Sequence, residues 1–263
     1  MFIKTLLLVM AANVLLAGHI RRPENRIIGG TTIDIETAPW QVFVLLRQNE
    51  TDFGFGCGGS LIRPDIVLTA GHCLIANPDG TEPAIITVRV GSSNKNEGGE
   101  VIHVANFKKH ENIYINSSQN LYLNDIAVLL LEKPFKISPS VQTIELARVV
   151  PPVGSQAFVS GWGNITDYFG QPTTIPSNLH GTFVSIWPQS ICIQLSWFNP
   201  GNICAGLMGR TTCAGDSGGA LVVNNQVVGV VSAGTTQCDT ATTYASVPFY
   251  HEWILNAIEK LYL

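Results

Sequence analysis

The chain has 263 residues, 46% hydrophobic and 13% charged, with 15 basic and 19 acidic side chains and a formal charge of −4. That balance excludes an intrinsically disordered chain, and the acidic excess excludes a phosphate-binding face of the kind nucleic acid requires. Twenty-five glycines and 14 prolines predict many short elements joined by tight turns.

The first element is an address. Lys4 supplies a positive charge, Leu6 to Leu16 is an apolar run broken only by Asn13, and Ala17-Gly18 offers small residues for cleavage. The run is too short to cross a bilayer, so residues 1–18 read as a secretory signal peptide. No later stretch reaches the ~18 uninterrupted apolar residues of a membrane span, so a secreted, extracellular protein with no membrane partner is expected. Residues 1–26 hold four basic residues and one acidic, so the chain beyond Arg26 keeps 11 basic and 18 acidic residues, a charge of −7. Nucleic acid is therefore not an expected partner. The local basic cluster Lys108-Lys109-His110 reads as a solvated loop.

Short, β-branched runs then follow one another: Gln41 to Leu46, Ile66 to Thr69, Ile85 to Val90, Asp125 to Leu131, Gln156 to Ser160, Ala220 to Val223 and Gln226 to Val231. Their length and spacing predict an antiparallel all-β fold, a sandwich or a pair of barrels. Val149-Val150-Pro151-Pro152-Val153-Gly154 reads as a connector between halves of similar length. The polar stretch from Gly163 to Ser177 reads as a mobile loop. Phe249, Trp253, Ile254, Ala257, Ile258 and Leu261 recur at three and four residues, which predicts an amphipathic helix over 249–261. Its polar face is not basic, so docking on the second half is expected rather than membrane binding.

Six cysteines follow the leader: Cys57, Cys73, Cys192, Cys204, Cys213 and Cys238. Their even number in a secreted chain predicts three disulfides, with 15 pairings open. No C-x-x-C pair supports zinc, and neither metal nor cofactor is expected. The sequons Asn49-Glu50-Thr51, Asn116-Ser117-Ser118 and Asn164-Ile165-Thr166 lie in polar stretches and read as glycosylation sites on exposed loops.

The most specific signal is Thr212-Cys213-Ala214-Gly215-Asp216-Ser217-Gly218-Gly219. A serine needs a base to become a nucleophile. Flanking glycines permit a tight turn beside a substrate carbonyl, and the N–H groups of Gly215 and Ser217 would converge on an oxyanion. His72, in Thr69-Ala70-Gly71-His72-Cys73, stands beside a half-cystine that would fix its backbone. Asp125, in Asn124-Asp125-Ile126-Ala127-Val128, would be drawn inward and would need a partner such as an imidazole N–H. Ser217 would then attack, His72 would move the proton, and Asp125 would hold the tautomer. Singly, these residues read equally well as a Gly-rich turn, a core histidine and a strand-end cap.

Together they are specific. The chain resembles the chymotrypsin-like (trypsin-fold) serine peptidases from Arg26 to the C-terminal helix. The motifs appear in family order: Arg26-Ile27-Ile28-Gly29-Gly30, Cys57-Gly58-Gly59-Ser60, Thr69 to Cys73, Asp125 to Leu129, Ser160-Gly161-Trp162-Gly163, Gly215 to Gly219, and Val231-Ser232-Ala233-Gly234. The resemblance implies two six-stranded antiparallel β-barrels, about 27–148 and 149–248, with a C-terminal helix over about 249–262 and the triad between the barrels. It also implies the pairings Cys57–Cys73, Cys192–Cys204 and Cys213–Cys238. Residues 19–26 look like an activation propeptide. Cutting Arg26-Ile27 would free an α-ammonium on Ile27 to pair with Asp216, so an activating trypsin-like protease and protein protease inhibitors are expected partners beside protein or peptide substrates.

By the same resemblance, Thr211 floors the specificity pocket where trypsin-like members carry Asp. Thr212 lines it, Ser232-Ala233-Gly234 forms a wall, and Gly234 leaves the entrance open. Thr242 falls where roomy pockets have Gly. An elastase-like pocket for Ala, Val, Leu or Ile is favoured, with a chymotrypsin-like pocket for Phe, Tyr or Leu as the other reading. The family usually has Trp at Ala233, which implies looser distant subsites. The loop Ser92 to Glu100 lacks the length and paired acids of the calcium loop of trypsins, so no structural calcium is expected. Two rivals remain: a non-catalytic homologue used as a binding module, and an esterase with a G-x-S-x-G elbow. The order His72, Asp125, Ser217 and the all-β pattern disfavour the esterase.

Overall fold

The computed structural model describes residues 29–75, 82–119, 121–166, 172–195, 199–234, 238 and 240–263. The expected signal peptide and the Arg26-Ile27 bond lie outside them. Eighteen strands are defined. In chain order, β1 is Thr31–Thr32, β2 Gln41–Arg47, β3 Phe55–Arg63, β4 Ile66–Thr69, β5 Ile85–Val90 and β6 Glu100–Lys109. There follow β7 (Tyr114–Asn116), β8 (Leu121–Leu123), β9 (Ala127–Leu131), β10 (Glu145–Leu146), β11 (Gln156–Gly161), β12 (Ile165–Thr166) and β13 (Pro172–Thr174). The last five are β14 (His180–Ile186), β15 (Asn202–Gly206), β16 (Ala220–Val223), β17 (Gln226–Ala233) and β18 (Thr242–Ser246). Among the described residues two α-helices are defined, α1 (Gln189–Cys192) and α2 (Val247–Leu261).

The first barrel closes in the order β2-β3-β4-β9-β6-β5. The second runs β14-β11-β16-β17-β18-β15 and closes through β14–β15. Both are six-stranded and antiparallel, as the resemblance implies. Period-2 burial builds the interiors: Val42, Val44, Leu61, Leu68, Val88 and Leu129 fill the first, and Val159, Leu221, Val228 and Tyr244 the second.

Four boundaries differ from expectation. β1 pairs with β14, Thr31 opposite Gly181, so this segment joins the second barrel and the first begins at β2. β10 pairs in parallel with β17, a crossing strand that stitches the connector to the second barrel. The strand expected from Asp125 begins at Ala127, because Asn124 adopts φ 51 and turns the backbone inward. The helix begins at Val247, because Ser246 caps it and Pro248 occupies its first turn.

Helix α2 reaches back to the first barrel. Ile254, Ala257 and Ile258 are buried in a cluster shared with β9 and β6. The Tyr250 hydroxyl donates to Asn124 Oδ1 at 3.1 Å, the Trp253 Nε1–H to Glu111 Oε2 at 2.8 Å, and the Tyr262 hydroxyl to Asp65 Oδ2 at 2.8 Å. His110 stacks on Trp253 with centroids 5.0 Å apart. The three disulfides are Cys57–Cys73, Cys192–Cys204 and Cys213–Cys238. Among the sequons, Asn49 sits in an exposed turn, whereas Asn116 and Asn164 are half-buried rather than on open loops. The Asn164 amide bonds to Ala214, which draws it toward the Ser217 turn.

Candidate active site

β4 delivers His72. The chain leaves the strand at Thr69 and enters a 3-10 turn at His72–Ile75, where Cys73 is bonded to Cys57 on β3. Asp125 faces it from the start of β9 and is 2% exposed. Three donors close on this carboxylate. The His72 amide donates to Oδ1 at 2.7 Å, the His72 Nδ1–H to Oδ2 at 2.8 Å, and the Ser232 hydroxyl to Oδ2 at 2.6 Å. With the proton held on Nδ1, Nε2 is left as an acceptor.

Burial alone would raise the Asp125 carboxyl. The His72 charge and the hydrogen bonds from His72 and Ser232 outweigh it and hold the group below its ordinary value. For His72, burial works against the imidazolium, but the Asp125 carboxylate overcomes it and the pKa rises above the ordinary 6.5. Tyr122 on β8 packs edge-on against the imidazole, centroids 5.3 Å apart.

Ser217 comes from the turn between β15 and β16. Gly218 (φ 82) lies so close to β4 that a Cβ would fall on Thr69 Oγ1 and Gly58 O. Gly58 N donates to Ser217 O at 2.7 Å. The serine turn is thus seated on the strands that carry His72. The Ser217 hydroxyl and the His72 ring are not hydrogen-bonded, and such contacts tighten in peptidases on substrate binding. Gly215 adopts φ 97, and among the described residues the N–H groups of Gly215 and Ser217 are not taken by any partner.

Asp216 points the other way. It is 1% exposed, and its oxygens accept from Gly163 N at 2.8 Å and Cys213 N at 2.9 Å. Burial dominates and pushes its pKa up to about 6, against these two amides and the more distant Lys95 charge. A Cβ on Gly163 would stand 2.5 and 2.6 Å from the two carboxylate oxygens.

Thr211, Thr212 and Thr242 form one buried cluster. Thr242 Oγ1 lies 2.8 Å from Thr211 Oγ1 and 3.0 Å from Thr212 Oγ1. Ser232 and Ala233 are buried on the adjoining wall, and Gly234 is half-exposed, with space for a Cβ limited by Thr242 Oγ1 at 3.2 Å. Residues 235–237 and 239 lie outside the described residues.

Two contacts escape sequence reasoning. Ser232 reads as pocket wall, yet its hydroxyl is spent on Asp125. Tyr122 carries no signal beyond an aromatic three residues before Asp125. Cys57, His72 and Cys73 bring potential metal ligands together, but the sulfurs are bonded to each other and Nδ1 is bonded to Asp125, so the set does not fit a metal. In the 92–100 loop, carbonyls are turned to protein donors: Ser92 Oγ donates to Asn94 O and Glu97 O, and Arg89 to Asn96 O and Gly98 O.

A sequence profile of the trypsin family matches residues 27–254. The chain is similar to a trypsin of Sarcophaga bullata, 35% identical across 95% of this chain and 96% of that one. It is 34% identical to hypodermin-B of Hypoderma lineatum, across 90% and 89%. Among solved structures it resembles the scabies mite inactivated protease paralogue S-D1, with TM-score 0.76, 25% identity and coverage of 89% and 98%. Matched over residues 27–254, and folded as two barrels that meet near His72, Asp125 and Ser217, the chain belongs to the trypsin family of serine peptidases.

Proposed function

We propose that this chain is a secreted serine endopeptidase, made as a zymogen, that cuts peptide bonds after apolar residues. The observation that carries the reading is the His72–Asp125 pair, joined by two hydrogen bonds and braced by a third from Ser232 to Asp125, with the Ser217 turn seated on the strand that leads to His72. Ser217 Oγ attacks the scissile carbonyl while His72 Nε2 takes its proton. The oxyanion is received by the N–H groups of Gly215 and Ser217. His72 returns the proton to the departing amine, leaving an acyl-enzyme. Water then attacks, again through His72, and the acid is released.

Secretion rests on the leader at 1–18, and no helix among the described residues is long and apolar enough to cross a membrane. In the zymogen reading, residues 19–26 are removed by a trypsin-like protease. The Ile27 ammonium then takes Asp216 as partner, ending the burial of an uncompensated carboxyl and fixing Gly215. The domain limits are those of a peptidase over 27–263, open to protein substrates and protein inhibitors, with a glycan best accommodated at Asn49.

The relatives named above include a trypsin, yet the preference for apolar residues rests on this chain's own floor. Thr211 offers no charge for Lys or Arg, and Thr242 fills the base with a hydroxyl cluster that satisfies itself. We assign it an elastase-like preference for Ala, Val or Leu. The mite structure is named an inactivated protease paralogue, and a non-catalytic homologue is the second reading; this chain keeps His72, Asp125 and Ser217 in its sequence, which speaks against it. One experiment separates them: a chromogenic peptide panel after trypsin treatment of the secreted protein, varying the residue before the scissile bond, with Ser217→Ala as control. Turnover after Ala, Val or Leu supports the assignment. Turnover after Phe or Tyr makes the pocket deep, turnover after Lys or Arg makes it trypsin-like, and no turnover makes the chain a non-catalytic homologue.

A further inference from the structure

Away from the cleft, the second barrel carries a groove of about 560 Å³. One side is the connector, whose Val149, Val150 and Val153 are 77%, 49% and 61% exposed although apolar. The other side is Trp187, Ile203 and Phe249, with the Cys192–Cys204 disulfide pinning the base. Trp187 spends its N–H on Gly206 O at 3.0 Å, so its ring is a purely apolar wall. The volume and lining match those of sites for small organic molecules, which pair apolar walls with a few polar groups.

Among the described residues, the one charged side chain on the lining is the cation Arg148, beside the neutral Gln189, Asn202 and Ser246. Asn202 borders the groove, is 7% exposed, and has a side-chain N–H group with no hydrogen-bond partner. Such a buried donor is costly to leave unmade. Helix α2 starts at the same place, presenting the positive end of a 15-residue dipole through Ser246 and Phe249. Its cap is stretched, with Phe249 N and Ser246 Oγ 3.5 Å apart. Arg148 stands at the mouth, exposed and without an ion pair among the described residues. No Asp or Glu is among the lining residues.

We propose that this groove binds an apolar monocarboxylate, such as a medium-chain fatty acid. Its chain lies along the connector valines and Phe249, and its carboxylate is received by Asn202, the start of α2 and Arg148. The test is calorimetric titration of decanoate, below its micellar concentration, into the full-length Ser217→Ala protein, so that binding is read apart from any turnover. One site is expected, with decanol about tenfold weaker because it forfeits the charge-assisted hydrogen bonds. Arg148→Gln, at an exposed position, is expected to weaken decanoate by about fivefold to tenfold, and Val150→Asp to abolish binding by placing a like charge in the apolar wall. Absence of decanoate binding, equal affinity for decanol, or binding unchanged in both variants would overturn the assignment.

Discussion

The two barrels hold their halves of the cleft in different ways. In the first, the bonds to His72 itself are internal and already made, by the disulfide beside it, the amide and ring bonds to Asp125, and the closed ladder β4–β9, and the second barrel adds only the Ser232 hydroxyl on Asp125. In the second, the Gly215-Asp216-Ser217 turn leans on a buried carboxyl that has two amide donors and, among the described residues, no cation in bonding range. The first half is built to be permanent. The second carries an unmet electrostatic demand that a new ammonium would answer. In the zymogen reading proposed above, this division would let the proton-transfer pair be finished early while the oxyanion site waits.

The largest test of this division is Ser217→Ala in the activated protein. It should lower kcat by at least about 10⁴-fold while the melting transition stays in place, since no core contact is lost. Asp125→Asn should lower kcat by about 10⁴-fold as well. It also carries a pH signature. His72 is raised above 6.5, so activity should climb through a limb above pH 6.5 as the ring becomes neutral. Removing the Asp125 charge leaves burial dominant, and the limb in the pH profile of kcat/KM should move below that value.

Asp216 offers the next measurement, on the uncut chain. Its folded pKa is raised from 3.8 to about 6. The stabilisation it gives is therefore complete below pH 3.8 and is lost as pH rises through about 6. About 3 kcal/mol is at stake for this two-unit shift. Denaturation of the uncut protein should show that slope between pH 4 and 6. Asp216→Asn, or cleavage that supplies the Ile27 ammonium, should flatten it; an equal slope in all three would show that the carboxyl is already compensated.

A paired substitution sharpens the contrast further. Gly59→Ala in the first barrel would press a Cβ on Val67 and Val42, at 2.8 and 2.9 Å, and Gly163→Ala in the second would press one on Asp216. Each should cost about 1–3 kcal/mol of stability. Only Gly163→Ala should also depress kcat, because it displaces the group that positions Gly215. The smallest effect is Thr242→Gly, which should move the kcat/KM ratio toward Phe and Tyr by about 1–3 kcal/mol, read from the same peptide panel.

What the residues disclosed in advance follows their physics. Strands rich in Val, Ile and Leu were legible: β4, β5 and β16 begin and end where the apolar runs do. Among the strands that escaped, β3 with its Gly56-Cys57-Gly58-Gly59 run, β15, and β18 with its threonines have compositions that read as turn or loop, whereas β6 and β14 mix β-branched with polar residues and form no continuous apolar run. They are strands because neighbours pair with both edges, which no local pattern reports. The same holds at the site. His72, Asp125 and Ser217 stand in recognisable motifs, but the Ser232 bond to Asp125 joins residues 107 positions apart. The Thr211–Thr242 contact spans 31 positions, so no local pattern could report it.

The hydrogen bond from Tyr250 to Asn124 makes helix α2 a brace for a cleft that it does not line. Asn124 is the left-handed residue that leads into Asp125, and its side chain accepts from a helix that lies far along the chain. Loosening α2 is therefore felt at the carboxylate that holds His72, with no side chain of the cleft altered.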